Sequence, residues 1–438
     1  MLDRFIQEFS RAAAEQGIEQ IDFYGEETAG SNASVFKSEI ESLTQYDRTV
    51  VFVEGCYQGY CGTAYTENLE QECFESLIQK IKETAVENKK PFTPRNMPRC
   101  EKAEETLVPG TGLELLLDAE RIAYGDGRVK HVQCQSSRGS RRVILANQSG
   151  EKAEDFQSFS GASVFVMATD GEKTQTGRSG AMADVRGAVD PCGLALLAKD
   201  RAVTMLHAKS LPSGSRQVVL SGQVLREMLS MYISSFYGSS ILDNKSVLKG
   251  KKGSRIGSEL VTLKEDPAGN LPRRFDDEGT LCSSKNIIEQ GVLKTWLHNR
   301  KSARELNDQP TGNGFKRDYL EDVATGYTNL VMEPGGDSLE AVLKQQGDGL
   351  YITECDGMFA GANAISGDFA LISKGYLVEN GKLGEAVAQI TIAGNFFTML
   401  NQIKAVANDS ETERFGSSTV TAPSVWVGEL SVSGRSES

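Results

Sequence analysis

Histidine is the scarcest chemically useful residue in this 438-residue chain, with only His131, His207 and His298. They lie far apart, and none belongs to an HExxH or HxH cluster. Each is therefore read as a packed or surface histidine, not a metal ligand. The eight cysteines, at positions 56, 61, 73, 100, 134, 192, 282 and 355, form no CxxC pair and sit near no histidine at ligand spacing. That argues against a zinc ribbon or finger and predicts reduced thiols in a cytosolic protein. Cys56 and Cys61 flank "YQGY" and could approach each other across a hairpin. Long apolar runs are also missing: nothing nears the ~20 residues of a membrane span, and the N-terminus carries no apolar export segment. The expected location is the cytoplasm, with no membrane partner.

Positive charge is short as well. Lys and Arg number 47 against 60 Asp and Glu, a formal balance of −13. Sequence-independent binding to nucleic acid depends on cations neutralising phosphates, so no direct nucleic-acid binding is expected. The basic stretch "NKSVLKGKKGSR" (244–255) reads as a solvated loop and lacks the GxxxxGK[ST] phosphate-binding pattern. No GxSxG nucleophile elbow occurs.

What is present is ordinary globular patterning. Leu2, Phe5, Ile6, Phe9 and Ala13 form an apolar stripe that Gly17 closes, which predicts a helix over 2–16. Short strands within 20–64 and a helix bearing Leu69, Cys73, Phe74, Leu77, Ile78, Ile81 and Ala85 complete a small N-terminal α+β domain, 1–90. Pro91, Pro94, Pro98 and Pro109 mark 91–111 as an extended connector. A central α+β domain follows at 112–210, with "GLELLLDAERIAYG" and "PCGLALLAKDRAVTMLHA" as helices. The remainder, 211–438, reads as a β-rich domain with a mostly antiparallel sheet. Within it, "IIEQGVL" and "YLVENGKL" are hairpins and "NFFTMLNQIKAVAND" is a helix. The fold class is α+β.

Two stretches are candidate sites. "VLREMLSMYISSFYGSSI" (224–241) predicts a helix with Leu225, Met228, Leu229, Tyr232 and Phe236 on one face and serines on much of the rest. "RRFDDEGT" (273–280) clusters Asp276, Asp277 and Glu278. Adjacent carboxylates on a strand point to opposite faces, so the cluster reads as a structural turn at Gly279 with Arg273 or Arg274 pairing to it. A hard-cation site is the alternative.

In order along the chain, "FDDEGT", "IIEQGVLKTWLHNRKSAREL", "TGNGFKR", "TNLVMEPG", "GDGLYITECDGM", "NAISGDFALISKGYLVENGK", "ITIAGNFFTMLNQI" and "APSVWVGELSVSG" resemble the TldD/PmbA family, described as modulators of DNA gyrase and as peptidases. The resemblance covers nearly the whole chain. TldD-like members carry HExxxH on a helix and a late Cys that completes a zinc site. The corresponding positions here are Leu229, Ser230, Met231, Tyr232, Ile233 and Ser234, and the last cysteine is Cys355. The resemblance thus implies a PmbA (TldE) type, with Leu229, Ser230 and Ser234 on a vacated zinc-site helix facing a cleft, and no catalytic or metal-binding residue. It implies a non-catalytic subunit of a protease for unfolded or extended peptides, with zinc in a TldD-like heterodimer partner. The alternative is a homodimeric binding or regulatory module, a gyrase modulator. Whether the chain is itself an enzyme stays open.

Overall fold

The computed structural model describes residues 2–100, 104–183, 187–316 and 323–435. The first half is organised by one long, wholly antiparallel sheet. Its strands are β1 (Ile21–Phe36), β2 (Glu39–Tyr57), β3 (Tyr60–Thr66), β4 (Val129–Asn147), β5 (Lys152–Thr169) and β6 (Thr174–Met182), in the spatial order β3-β2-β1-β4-β5-β6. The segments 1–90 and 112–210, expected as separate domains, both contribute strands to it. The reason is that β1 has two edges and the β2–β3 hairpin satisfies only one. The other pairs with β4, from Asp22 opposite Asn147 to Val35 opposite Cys134. The connector between them runs alongside the sheet, where the Arg95 amide donates to the Asp22 carboxylate at 2.5 Å. Residues 101–103 of the connector lie outside the described set.

Side chains alternate along each strand, so this register gives the sheet two faces. One carries Phe23, Val53, Val35, Cys134 and Val164. Helices α1 (Leu2–Glu15) and α2 (Phe74–Asn88) cover one end of it, and α3 (Leu113–Ala123) and α4 (Pro191–Met205) cover the other. The stripe predicted for α1 is the one it buries. The predicted second helix starts late, at Phe74, leaving Leu69 and Cys73 packed at its entrance. The second face carries Tyr24, Phe52, Val143 and Leu145, packed on Phe275 of the C-terminal half.

That half is built from β7 (Gly214–Leu220), α5 (Gly222–Tyr232), α6 (Gly238–Leu242), β8 (Leu263–Glu265), β9 (Lys285–Glu289), β10 (Val292–Leu293), α7 (Arg300–Glu305), β11 (Gly314–Phe315), β12 (Ala324–Thr325), β13 (Asn329–Met332), α8 (Leu339–Gln346), β14 (Gly349–Asp356), α9 (Met358–Gly361), β15 (Asp368–Glu379), β16 (Lys382–Asn395), α10 (Phe396–Gln402), β17 (Ala405–Val406), β18 (Glu411–Phe415), β19 (Ser418–Ala422) and β20 (Val425–Ser433). Two six-stranded sheets, β10-β9-β8-β13-β19-β18 and β16-β15-β14-β7-β20-β17, and a β11–β12 pair make it strand-rich. The pairing is mostly antiparallel; β13–β19 and β14–β7 are parallel. The fold is α+β. Among the described residues, no helix is long and apolar enough to cross a membrane.

Both predicted hairpins are present, β9–β10 and β15–β16, the latter turning through Asn380 and Gly381 at positive φ. Two predicted helices are shorter than expected. The one read over 224–241 stops at Tyr232, becomes a 3₁₀ turn over Ile233–Phe236 and is interrupted at Tyr237 before α6. Tertiary pairing overrides the local pattern there: Gly238 N–H donates to the Leu297 carbonyl at 2.8 Å, and a Cβ on Gly238 would fall 2.2 Å from His298 Nδ1. The helix read over "NFFTMLNQIKAVAND" ends at Gln402, because Ala405 and Val406 pair with β20.

Candidate functional site

A cleft of about 630 Å³ opens between the two halves, among β6, α4, α5, β14 and β18. Ser221 caps the start of α5, accepting the Val224 amide at 3.3 Å, and donates to the Thr353 carbonyl at 3.2 Å, which ties the helix start to β14. Gln223, Glu227, Ser230, Met231 and Ser234 are the partly exposed positions. Gln223, Arg226 and Glu227 line the cleft. The buried Arg226 reaches Glu413 at 3.4 Å and Glu411 at 3.5 Å. Lys374 sits 2.8 Å from Glu354 and donates to the Thr176 carbonyl. Glu227 has no cation of its own at salt-bridge distance among the described residues. Burial and the charges of Glu413 and Glu354 push its carboxyl up to about 7, against a hydrogen bond from Gln223.

The three positions expected on a vacated zinc helix do not share one environment. Leu229 is only 3 % exposed and belongs to the C-terminal core, so it does not face the cleft as expected. Ser230 Oγ lies 3.4 Å from Tyr327 Oη, and Ser234, in the 3₁₀ turn, donates to the Met231 carbonyl at 3.5 Å. Two weak alcohol donors and a packed leucine do not fit a zinc ion, which takes imidazole, thiolate or carboxylate. The nearby Cys355 thiol is 3.3 Å from Ser373 Oγ and is pushed by burial up to about 12, far from a thiolate near neutral pH. Among the described residues no three His, Cys, Asp or Glu side chains are grouped so as to hold a metal.

Asp276, Asp277 and Glu278 form a buried turn whose carboxylates point to separate partners. Asp276 accepts the amides of Glu278, Thr280 and Gly314 at 2.8–3.0 Å. Glu278 accepts the Arg300 amide at 2.6 Å. Asp277 accepts from Arg273 at 2.7 Å and from the Lys316 amide at 2.8 Å. Burial raises Asp276, up to about 7, and also Glu278, whereas for Asp277 Arg273 and Arg141 outweigh burial and hold it below its ordinary value. The turn is a joint: Arg273 also lies 3.7 Å from Asp155 of β5, and Arg141 of β4 binds Tyr24 and Glu26 at 2.8 and 2.7 Å. Gly279 (φ +81) lies under the connector, and a Cβ there would sit 1.8 Å from the Asn96 carbonyl oxygen. Gly279→Ala is expected to cost about 2–4 kcal/mol, from left-handed strain plus that collision. Denaturant unfolding measures it, and a loss below about 1 kcal/mol contradicts this reading of the joint.

The histidines are placed separately. His131 packs between Phe36 and Phe165, and the buried His298 has Nδ1 3.1 Å from Ser302 Oγ. Cys56 and Cys61 face each other across β2 and β3, both as free thiols. The sequence reading overlooked Glu227 and Arg414 of β18. Both are unremarkable locally, and the groups that set them apart, Glu354 and Glu413 for Glu227 and Phe159 for Arg414, lie more than a hundred residues away in the chain.

Two family models match the chain: the PmbA/TldA metallopeptidase central domain over residues 94–206 and the C-terminal domain over 213–434. The metalloprotease PmbA of Escherichia coli O157:H7 is 31% identical over 238 residues, covering 54% of this chain and 49% of that protein. The chain thus matches about half the length of its curated relatives. A Thermotoga maritima protein named as a candidate modulator of a DNA gyrase superposes with a TM-score of 0.87 at 29% identity, covering 99% of this chain and 100% of that one. TldE from Thermococcus kodakarensis shares the fold, with a TM-score of 0.85 at 20% identity over 98% of this chain and 100% of that one. With the C-terminal model alone spanning half the sequence, the chain belongs to the PmbA/TldD metallopeptidase family.

Proposed function

We propose that this chain is the metal-free, non-catalytic subunit of a TldD/TldE-type metalloprotease. In this reading it pairs in the cytoplasm with a zinc-bearing TldD-like subunit and shapes a chamber for unfolded or extended peptides. The observation that carries the reading is the donor set at 229–234, a core leucine and two weakly bonded serines where a zinc site needs strong ligands. Peptide hydrolysis at a metal needs a Lewis acid and a base to activate water, and these side chains supply neither.

The cleft supports the substrate side of the proposal. Among the described strands, β6 pairs only with β5 and β18 only with β19, and parts of both line the cleft. An extended peptide can add to such sheet edges through main-chain hydrogen bonds, with little demand on its sequence. A recess between two halves also admits a strand and excludes a folded domain.

The test is reconstitution. The purified chain is expected to leave an unfolded peptide intact. Mixed with a TldD-like subunit it should form a stoichiometric complex that cleaves the peptide, with turnover removed by a zinc chelator. Metal-dependent cleavage by this chain alone, or a mixture that neither associates nor gains activity, would overturn the proposal. A self-associated chain that binds peptide with no gain in activity would favour a regulatory module.

A further inference from the structure

We infer that the neutral trough beside the cleft holds a carboxylate of the bound peptide on the guanidinium of Arg414. The inference rests on the peptide-chamber reading and adds a direction to it. On the second face of the long sheet, the register aligns Ser34, Gln135, Ser163 and Gly180 in one row, and Asn32, Ser137, Gly161 and Met182 in the next. These rows floor a trough of about 430 Å³, walled by Thr412, Glu413 and Arg414 of β18. Hydroxyls, amides and bare backbone suit the main chain of a peptide and offer no charge of their own.

Arg414 supplies that charge. Its guanidinium lies 3.5 Å above the Phe159 ring centroid, and its Nε donates to the Gly416 carbonyl at 2.6 Å. No other hydrogen bond and no salt bridge engages it among the described residues, so its two terminal nitrogens retain their donors. The adjacent Glu413 is committed to Arg226. Partial burial with no carboxylate to offset it lowers the basicity of Arg414, so an incoming anion gains more here than at a solvated arginine. A carboxylate matches the planar fork bidentately, and the ring beneath holds the fork in place. The neighbouring cleft carries both signs, with Glu227 and Asp356 beside Arg178 and Arg201, and Glu354 is paired with Lys374. An anchor at the Arg414 wall therefore gives the bound peptide its direction.

The carboxylate could belong to the chain end or to an acidic side chain. Fluorescence anisotropy of a labelled hexapeptide of Ser, Ala and Gly, titrated with the full chain, separates these. Three forms are compared: free acid, C-terminal amide, and an amide with one internal Glu. The free acid should bind about tenfold more tightly than the plain amide. Recovery of that tenfold by the Glu-containing amide assigns the side chain as source, and no recovery assigns the terminus. Arg414→Gln should erase the preference and Arg414→Lys should keep part of it, with circular dichroism confirming both folds; if the Gln variant does not fold, the Lys variant decides. Equal binding of all three forms, or a preference that survives Arg414→Gln, overturns the inference and leaves the chamber standing. Failure of every form to bind, both to this chain and to its mixture with a TldD-like subunit, removes both.

Discussion

Asp277→Ala is expected to destabilise the protein by about 3–5 kcal/mol, the usual consequence of stripping one partner from a buried ion pair. The position is unforgiving because Asp277 is fully buried between two guanidiniums. Arg273 binds it directly at 2.7 Å, and Arg141 acts on it through space. Without it, Arg273 keeps Asp155 at 3.7 Å as its one carboxylate partner among the described residues while facing the like charge of Arg141. The amide of Lys316 also loses its acceptor. Asp277→Asn keeps the shape and one acceptor while deleting the charge, so it should fall between the wild type and Ala. Because the folded state holds this carboxyl below its ordinary value, its stabilisation is present above the unfolded pKa and lost as pH falls through the folded one. The gap between wild type and Asp277→Ala should therefore shrink on acidification. Denaturant midpoints at pH 7 and pH 3 test this, and a gap under 1 kcal/mol at pH 7 would show that the joint does not depend on the pair.

Glu227→Gln should act in the opposite sense and stabilise the protein at alkaline pH. Here the folded carboxyl is raised to about 7, so the folded state prefers the proton. That preference contributes stability below the unfolded pKa, which is lost as pH rises through about 7. At pH 8 the wild type holds a half-buried anion beside Glu413 and Glu354, and glutamine removes it. Discounted for partial exposure, the gain should be roughly 1–2 kcal/mol at pH 8 and near zero at pH 5. Unfolding curves at both pH values decide it. An equal effect at the two pH values, or none at pH 8, would mean that Glu227 is not under pressure from its neighbours. The same proton sets the charge of the cleft wall, which becomes more negative above neutrality.

Elements with a local cause were legible in the sequence. The stripe Leu2–Ala13, the hairpins turning at Gly291 and Gly381, and the Arg273–Asp277 pairing four residues apart all follow from neighbours in the chain. What the sequence could not carry was set by partners far away. The union of β1 with β4 joins residues about a hundred positions apart, so 1–90 looked self-contained. The interruption at Tyr237 comes from Leu297, and the state of Glu227 from Glu354 and Glu413. Leu229 sits on the same apolar stripe as Leu225 and Tyr232, and that periodicity predicts its burial; the family correspondence drew it toward the cleft instead.

The central position of β1 bears on how the molecule is made. Until Cys134 has left the ribosome, one whole margin of a sixteen-residue strand has nothing to bond to. Closing a loop of that size is slow compared with turning a hairpin, so the nascent N-terminal portion spends that interval open to wrong partners. A fragment ending within the proline-rich stretch should accordingly aggregate, however well its two helices are formed.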